Sequence, residues 1–126
     1  MEKKVILTKK APAPIGPYSQ AVLVDGTLYC SGQIAINAAT GEQITSDVEA
    51  EMTQVMKNIG YVLEEAGMDY SDIIKTGIFL KDMNDFNKIN SIYATYFTND
   101  FPARETVEVA RLPKDAAVEI SVIAKK

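Results

Sequence analysis

From Ser46 to Ala66 apolar residues return at helical intervals: Val48, Met52, Val55, Ile59, Val62 and Ala66 are spaced four, three, four, three and four apart. A stripe of that period fits one face of an α-helix. Ser46 with Glu49 three residues on has the form of a capping box, and Gly67 is placed for the left-handed position that ends a helix. The pattern predicts a helix over 46–66. One apolar face on so long a helix demands another layer to lie against.

The flanking segments supply that layer as strands. Val5-Ile6-Leu7 reads as a short first strand. Ala21–Val24, Asp25-Gly26 and Thr27–Cys30 read as a hairpin, since Asp-Gly between β-rich runs is a strong turn signal. Asn37 to Gly41 is a polar loop. Ile73 to Leu80 is apolar on both faces, as a central strand would be. A second helix starts from Asp82 or Asp85 and runs to about Thr98, with Phe86, Ile89, Tyr93 and Phe97 as its stripe and Asn90 beside it. Glu105 to Leu112 and Ala117 to Ala124 complete the set, joined by a turn at Pro113-Lys114-Asp115. The order β-β-β-α-β-α-β-β predicts a single α+β domain over 1–126, with about six strands in one sheet and both helices on one face. The other face still carries Ile, Val and Ala with no third layer to cover it. That face is expected to pack against copies of itself.

Composition narrows the chemistry. The 126 residues are 47% hydrophobic and 24% charged, with a net charge of −4 and no Lys/Arg run longer than two. A broad nucleic-acid footprint would need a basic face, so the balance counts against one. No stretch approaches the roughly 20 apolar residues of a membrane span. The three-residue apolar run near Met1 is too short for a signal peptide, and a reducing cytoplasm is the expected compartment. There is no histidine and one cysteine, Cys30. A Ser-His or Cys-His nucleophile, a His-ligated metal and an intrachain disulfide are all excluded. Cys30 reads as a buried strand residue, and Glu49, Glu51, Glu64 and Glu65 as solvated helix faces. No phosphate loop and no metal-ligand spacing occur.

Five side chains remain as candidates. Arg104 follows Pro102 at a strand entrance, where it is either a surface ion-pair partner or a fork for a small carboxylate. Glu119 lies between Val118 and Ile120, and a carboxylate among apolar residues needs a partner or a task. Tyr18 follows the irregular run Ala11–Pro17, a rigid loop that either positions it or merely connects. Ser31 ends the hairpin beside Gly32. Asn90 is either a satisfied structural amide or a functional one. If 105–112 and 117–124 form a regular hairpin, Glu119 faces Ala110, and Arg104 lies on the order of 20 Å further along. On that geometry the two share a site only between subunits.

Together these segments resemble the reactive intermediate deaminase family, also called YjgF/YER057c/UK114 or RidA-like and, in older naming, L-PSP endoribonucleases. The resemblance rests on Gly16–Ala21, Cys30–Ile34, the Phe86-Asn90-Tyr93-Phe97 helix, Pro102-Ala103-Arg104, and Val107–Pro113 with Val118-Glu119-Ile120. It implies a chorismate-mutase-like fold and a homotrimer with a central barrel and three clefts between subunits. It also implies cofactor-free hydrolysis of 2-iminobutanoate and 2-iminopropanoate to 2-oxo acids and ammonia. By position, Arg104 would clamp the substrate carboxylate and Glu119 would orient or activate water. Tyr18 and Ser31 would line the cleft, Gly32 would give close backbone access, and Asn90 would support the wall. Thr106 falls where many members carry cysteine, so no thiol-dependent role transfers. Glu105, beside the clamp, is expected to point away from it by strand alternation. The competing readings are a ribonuclease or translation inhibitor, and a non-catalytic binding or chaperone-like trimer.

Overall fold

The computed structural model describes residues 1–126. The strands are β1 (Lys4–Ile6), β2 (Ala21–Val24), β3 (Thr27–Cys30), the two-residue β4 (Ile36–Asn37) and β5 (Glu42–Gln43), β6 (Ile73–Leu80), β7 (Ala103–Glu108) and β8 (Val118–Lys125). Six of them form one sheet in the order β1-β2-β3-β8-β6-β7, and β4 pairs with β5 apart from it. Helices α1 (Val48–Glu65) and α2 (Phe86–Ala94) cover one face.

The stripe of α1 buries as its spacing requires. Met52, Val55, Ile59 and Val62 join Leu28, Ile78, Leu80, Val118, Ile120 and Val122 in a single cluster of 23 buried residues. Gly67 takes the expected left-handed conformation at φ 74°. The start differs by one residue. Asp47, not Ser46, is the N-cap, and its carboxylate accepts the Ala50 amide at 2.7 Å. A carboxylate suits the positive end of the helix dipole, and from Asp47 the third helical residue is Ala50, so no capping box forms. Helix α2 stops at Ala94 rather than near Thr98. The amides of Thr95, Tyr96 and Phe97 turn to the carbonyls of Ile92, Tyr93 and Ala94, which tightens the last turn and releases the chain toward β7.

The regular 105–112/117–124 hairpin does not form. β7 pairs in parallel with β6, and β8 pairs antiparallel with the other edge of β6. The cause is α2: a helix joining two strands of one sheet is the crossover that parallel neighbours need. β7 therefore takes one edge of β6. The chain leaves the sheet after Glu108, turns at Pro113–Asp115, and enters again as β8 between β6 and β3. The central strand expected at 73–80 is present with those bounds, and it has a strand on each side.

Glu51 is not solvated. It is only 6% exposed, and its carboxylate accepts the Ala117 amide at 3.3 Å, just ahead of β8. Burial raises its pKa above the usual carboxylate value, partly countered by the Ala117 N–H. With the native pKa raised, the folded chain holds its proton more tightly than the unfolded chain, so this carboxylate costs stability as pH rises past its ordinary value. Glu51→Gln keeps an acceptor and removes that cost. Urea midpoints should favour the variant at pH 7, with the advantage vanishing below the ordinary carboxylate range.

Candidate active site

Register along β6 decides where the two charged candidates point. Thr76 pairs with Arg104 on one side, and Phe79 pairs with Glu119 on the other. Thr76 and Phe79 are three residues apart, so their side chains, and those of their partners, emerge on opposite faces. Arg104 is on the helix face and Glu119 on the open face. They are also two strands apart, roughly 10 Å, and displaced roughly 10 Å along the strands. The conclusion that one chain does not join them therefore stands, although the hairpin from which it was derived is absent.

Arg104 is held by aromatic rings. Its guanidinium carbon lies 5.1 Å from the Tyr93 ring centroid and 5.6 Å from that of Phe86. Such contacts contribute on the order of 1 kcal/mol and leave the N–H fork free in the ring plane. Tyr93 is itself fixed, since its buried hydroxyl donates to Thr76 Oγ1 at 2.9 Å. No carboxylate lies within ion-pair distance of Arg104, and the surface-ion-pair reading fails. Arg104 lines a cleft of about 310 Å³ with Asn90, Tyr93, Ala94, Phe101 and Pro102. Asn90 Oδ1 is buried there without a hydrogen-bond partner. Thr106, two residues from Arg104 on the same face, has a buried, unpartnered Oγ1. Glu105 faces the other way, 3.5 Å from Lys75 Nζ, and does not compete for the clamp.

Glu119 lines a second, smaller cleft of about 90 Å³ with Tyr18, Gly32, Gln33, Pro113 and Lys114 among its walls. Its carboxylate has no salt bridge, and burial raises its pKa. Gly32 lies directly against it: a Cβ there would sit 2.7 Å from Glu119 Cδ, so any side chain would push the carboxylate aside. The chain reaches that contact because Gln33 and Ile120 exchange backbone hydrogen bonds at 2.8 and 3.1 Å. Tyr18 is half-exposed at the rim, its hydroxyl accepting the Ile15 amide at 3.5 Å. Ser31 is not in this cleft. It lines a neighbouring depression with Tyr18 and Tyr29, and its hydroxyl donates to the Ser19 carbonyl at 2.6 Å. Cys30 is buried, with its thiol pKa pushed up to about 12, and is chemically quiet. No three His, Cys, Asp or Glu side chains converge as metal ligands.

The seven candidates thus fall into two half-sites. Arg104, Asn90 and Thr106 form an anion-ready group on the helix face. Tyr18, Gly32 and Glu119, with Ser31 nearby, form a group around a carboxylate on the open face. Lys114 at the second cleft carried no functional signal in sequence, and Pro113, Phe86 and Tyr93 entered only as turn, helix-stripe and family-motif residues. Their roles depend on which strand edge is adjacent to which.

The mixed sheet with two helices matches one family of known proteins. The profile of the family described as Endoribonuclease L-PSP matches residues 8–126. A human protein named 2-iminobutanoate/2-iminopropanoate deaminase is 48% identical over 122 residues, spanning 97% of this chain and 89% of its own. A solved Rid-family protein of unknown function from Yersinia pestis superposes with a TM-score of 0.97 at 52% identity, covering 99% of this chain and 100% of its own. A putative endoribonuclease from Thermotoga maritima superposes with a TM-score of 0.96 at 40% identity, covering 100% and 98%. The chain belongs to the L-PSP family, the RidA/YjgF group.

Gly32→Ala tests the packing at the second cleft. The nearest atoms are all of the Glu119 side chain, which can swing aside, so the added methyl should displace the carboxylate while costing less than about 1 kcal/mol in chemical denaturation.

Proposed function

We propose that the protein is a hydrolytic deaminase of small 2-imino acids, acting as a homotrimer whose sites join the Arg104 half of one subunit to the Glu119 half of the next. The observation that carries this reading is the unpaired guanidinium of Arg104, seated on two rings at the mouth of a cleft. Such a group is arranged to take a small carboxylate. The naming of the human relative as a 2-iminobutanoate/2-iminopropanoate deaminase supports the choice of substrate.

The chemistry asks little of the residues. The substrate carboxylate docks on Arg104, which fixes the C=N carbon for attack. Glu119, with its raised pKa, takes a proton from water as the oxygen bonds to that carbon. That proton passes to the nitrogen and gives the carbinolamine; Glu119 then carries the hydroxyl proton to the nitrogen, the C–N bond breaks as the C=O bond forms, and ammonia leaves with a 2-oxo acid behind. Orientation and a placed base are enough, because the imine is already electrophilic. Tyr18 and the Gly32 backbone border the carboxylate, and Asn90 Oδ1 offers an acceptor beside the clamp.

The open face supports the assembly. Across it runs the row Val5, Val22, Tyr29 and Ile123, with Val5 56% and Tyr29 48% exposed. Packing three such faces into a barrel would remove these side chains from water. Sedimentation should give three times the 13.8 kDa chain mass.

The decisive assay generates 2-iminobutanoate with a threonine dehydratase and traps it with semicarbazide. Added protein should suppress the trapped product, and no difference from buffer ends the deaminase reading. Arg104→Ala should lose about 10²-fold or more in kcat/KM, the worth of a charge-assisted bidentate contact. The rate should fall as pH drops through the raised pKa of Glu119, a limb that Glu119→Gln removes along with most activity. Mixing the Arg104→Ala and Glu119→Gln proteins under subunit exchange should restore on the order of a quarter of wild-type activity, because heterotrimers contain one intact site. A site within one chain would restore none. The family's endoribonuclease name motivates the parallel control that single-stranded RNA stays intact.

A further inference from the structure

Gln20 is 1% exposed and is bonded to no side chain. Its Oε1 accepts the Thr8 amide at 2.7 Å. Its Nε2 donates to the carbonyls of Thr8 at 3.0 Å and Pro12 at 2.9 Å, with a longer contact to Ala11 at 3.3 Å. The segment from Thr8 to Pro17 has no sheet or helix ladder to satisfy these groups, and its prolines have no N–H to offer. One amide side chain replaces that ladder. Its own carbonyl accepts the Ser31 amide at 2.9 Å, which ties the clamp to the strand end beside Gly32.

The tethered segment is a wall of the Glu119 cleft. Pro12, Ala13, Ile15 and Tyr18 line that cleft together with Gln20 itself. We infer that Gln20 is a positioning residue: it holds the proline loop against the cleft, and so sets the placement of Tyr18 and the room left for substrate beside Glu119. This inference rests on the deaminase reading for its kinetic consequence, but not for its structural one.

Gln20→Glu keeps the shape and the acceptor for the Thr8 amide while losing both donors. At neutral pH it sets a carboxylate against two or three carbonyl oxygens. Amide hydrogen exchange across residues 8–18 should accelerate at least tenfold, and KM for the imine should rise about tenfold with kcat within twofold of wild type. Protonation gives the new carboxyl one donor back, so the KM defect should shrink as pH is lowered, a recovery that general destabilisation would not produce. Lys9→Ser, in the same loop but outside the clamp, should leave exchange and KM unchanged. If Gln20→Glu does not fold, Gln20→Met removes every side-chain bond without adding charge, with the same expectations apart from the pH recovery. Unchanged exchange in 8–18, or unchanged KM beside an active wild type, overturns the inference. An inactive wild type with accelerated loop exchange in the variant overturns the deaminase reading and leaves the clamp standing.

Discussion

Strand β6 is the constraint on which the site depends. It runs through the middle of the sheet, with β7 bonded to one edge and β8 to the other. Each of those strands carries one of the two charged groups, and the pleat of β6 assigns them to opposite faces. Had β7 and β8 been neighbours, parity and distance along one hairpin would have set the relation. With β6 between them, each half-site is built against a different layer: Arg104 against the aromatic residues of α2, and Glu119 against the backbone at Gly32.

The two halves are prepared in opposite electrostatic ways. Arg104 is seated on two ring faces that favour a cation and leave its N–H fork open. Glu119 is prepared by what is missing. It has no ion-pair partner and is partly removed from water, and that burial raises its pKa. Glu51 has a similar shift with a structural task, holding the start of β8 two residues before Glu119. A raised carboxylate pKa in this fold is therefore not by itself a functional mark. The cleft beside Glu119 makes the difference.

Much of this was legible in the residues. The α1 stripe, the Asp25-Gly26 hairpin and the doubly apolar 73–80 segment were enough for the order of the main-sheet strands and for both helices on one face, but not for the short β4–β5 pair around the expected 37–41 loop. Glu119 stood out because a carboxylate between Val118 and Ile120 is costly without a partner or a task, and Arg104 because a guanidinium fork at a strand entrance suits a small carboxylate. What misled was adjacency. Two strands separated by a short turn read as a hairpin, yet nothing local encodes that α2 obliges β7 to pair with β6 in parallel. The solvated reading of Glu51 failed for a related reason. Its burial comes from the loop before β8, far away in sequence, and not from its own helix.

The sequence by itself determined most of the elements and the missing histidine, and therefore that the proposed chemistry rests on a guanidinium, a carboxylate and backbone amides. These follow from local periodicity and from side-chain inventory, which need no knowledge of neighbours. Only the tertiary structure decided that the candidates divide into two half-sites, that Tyr93 and Phe86 seat the arginine, and that Gln20 closes the proline loop. Those outcomes depend on which strand edges and carbonyls meet in space, and hydrogen bonds between distant segments leave no periodic trace in the chain.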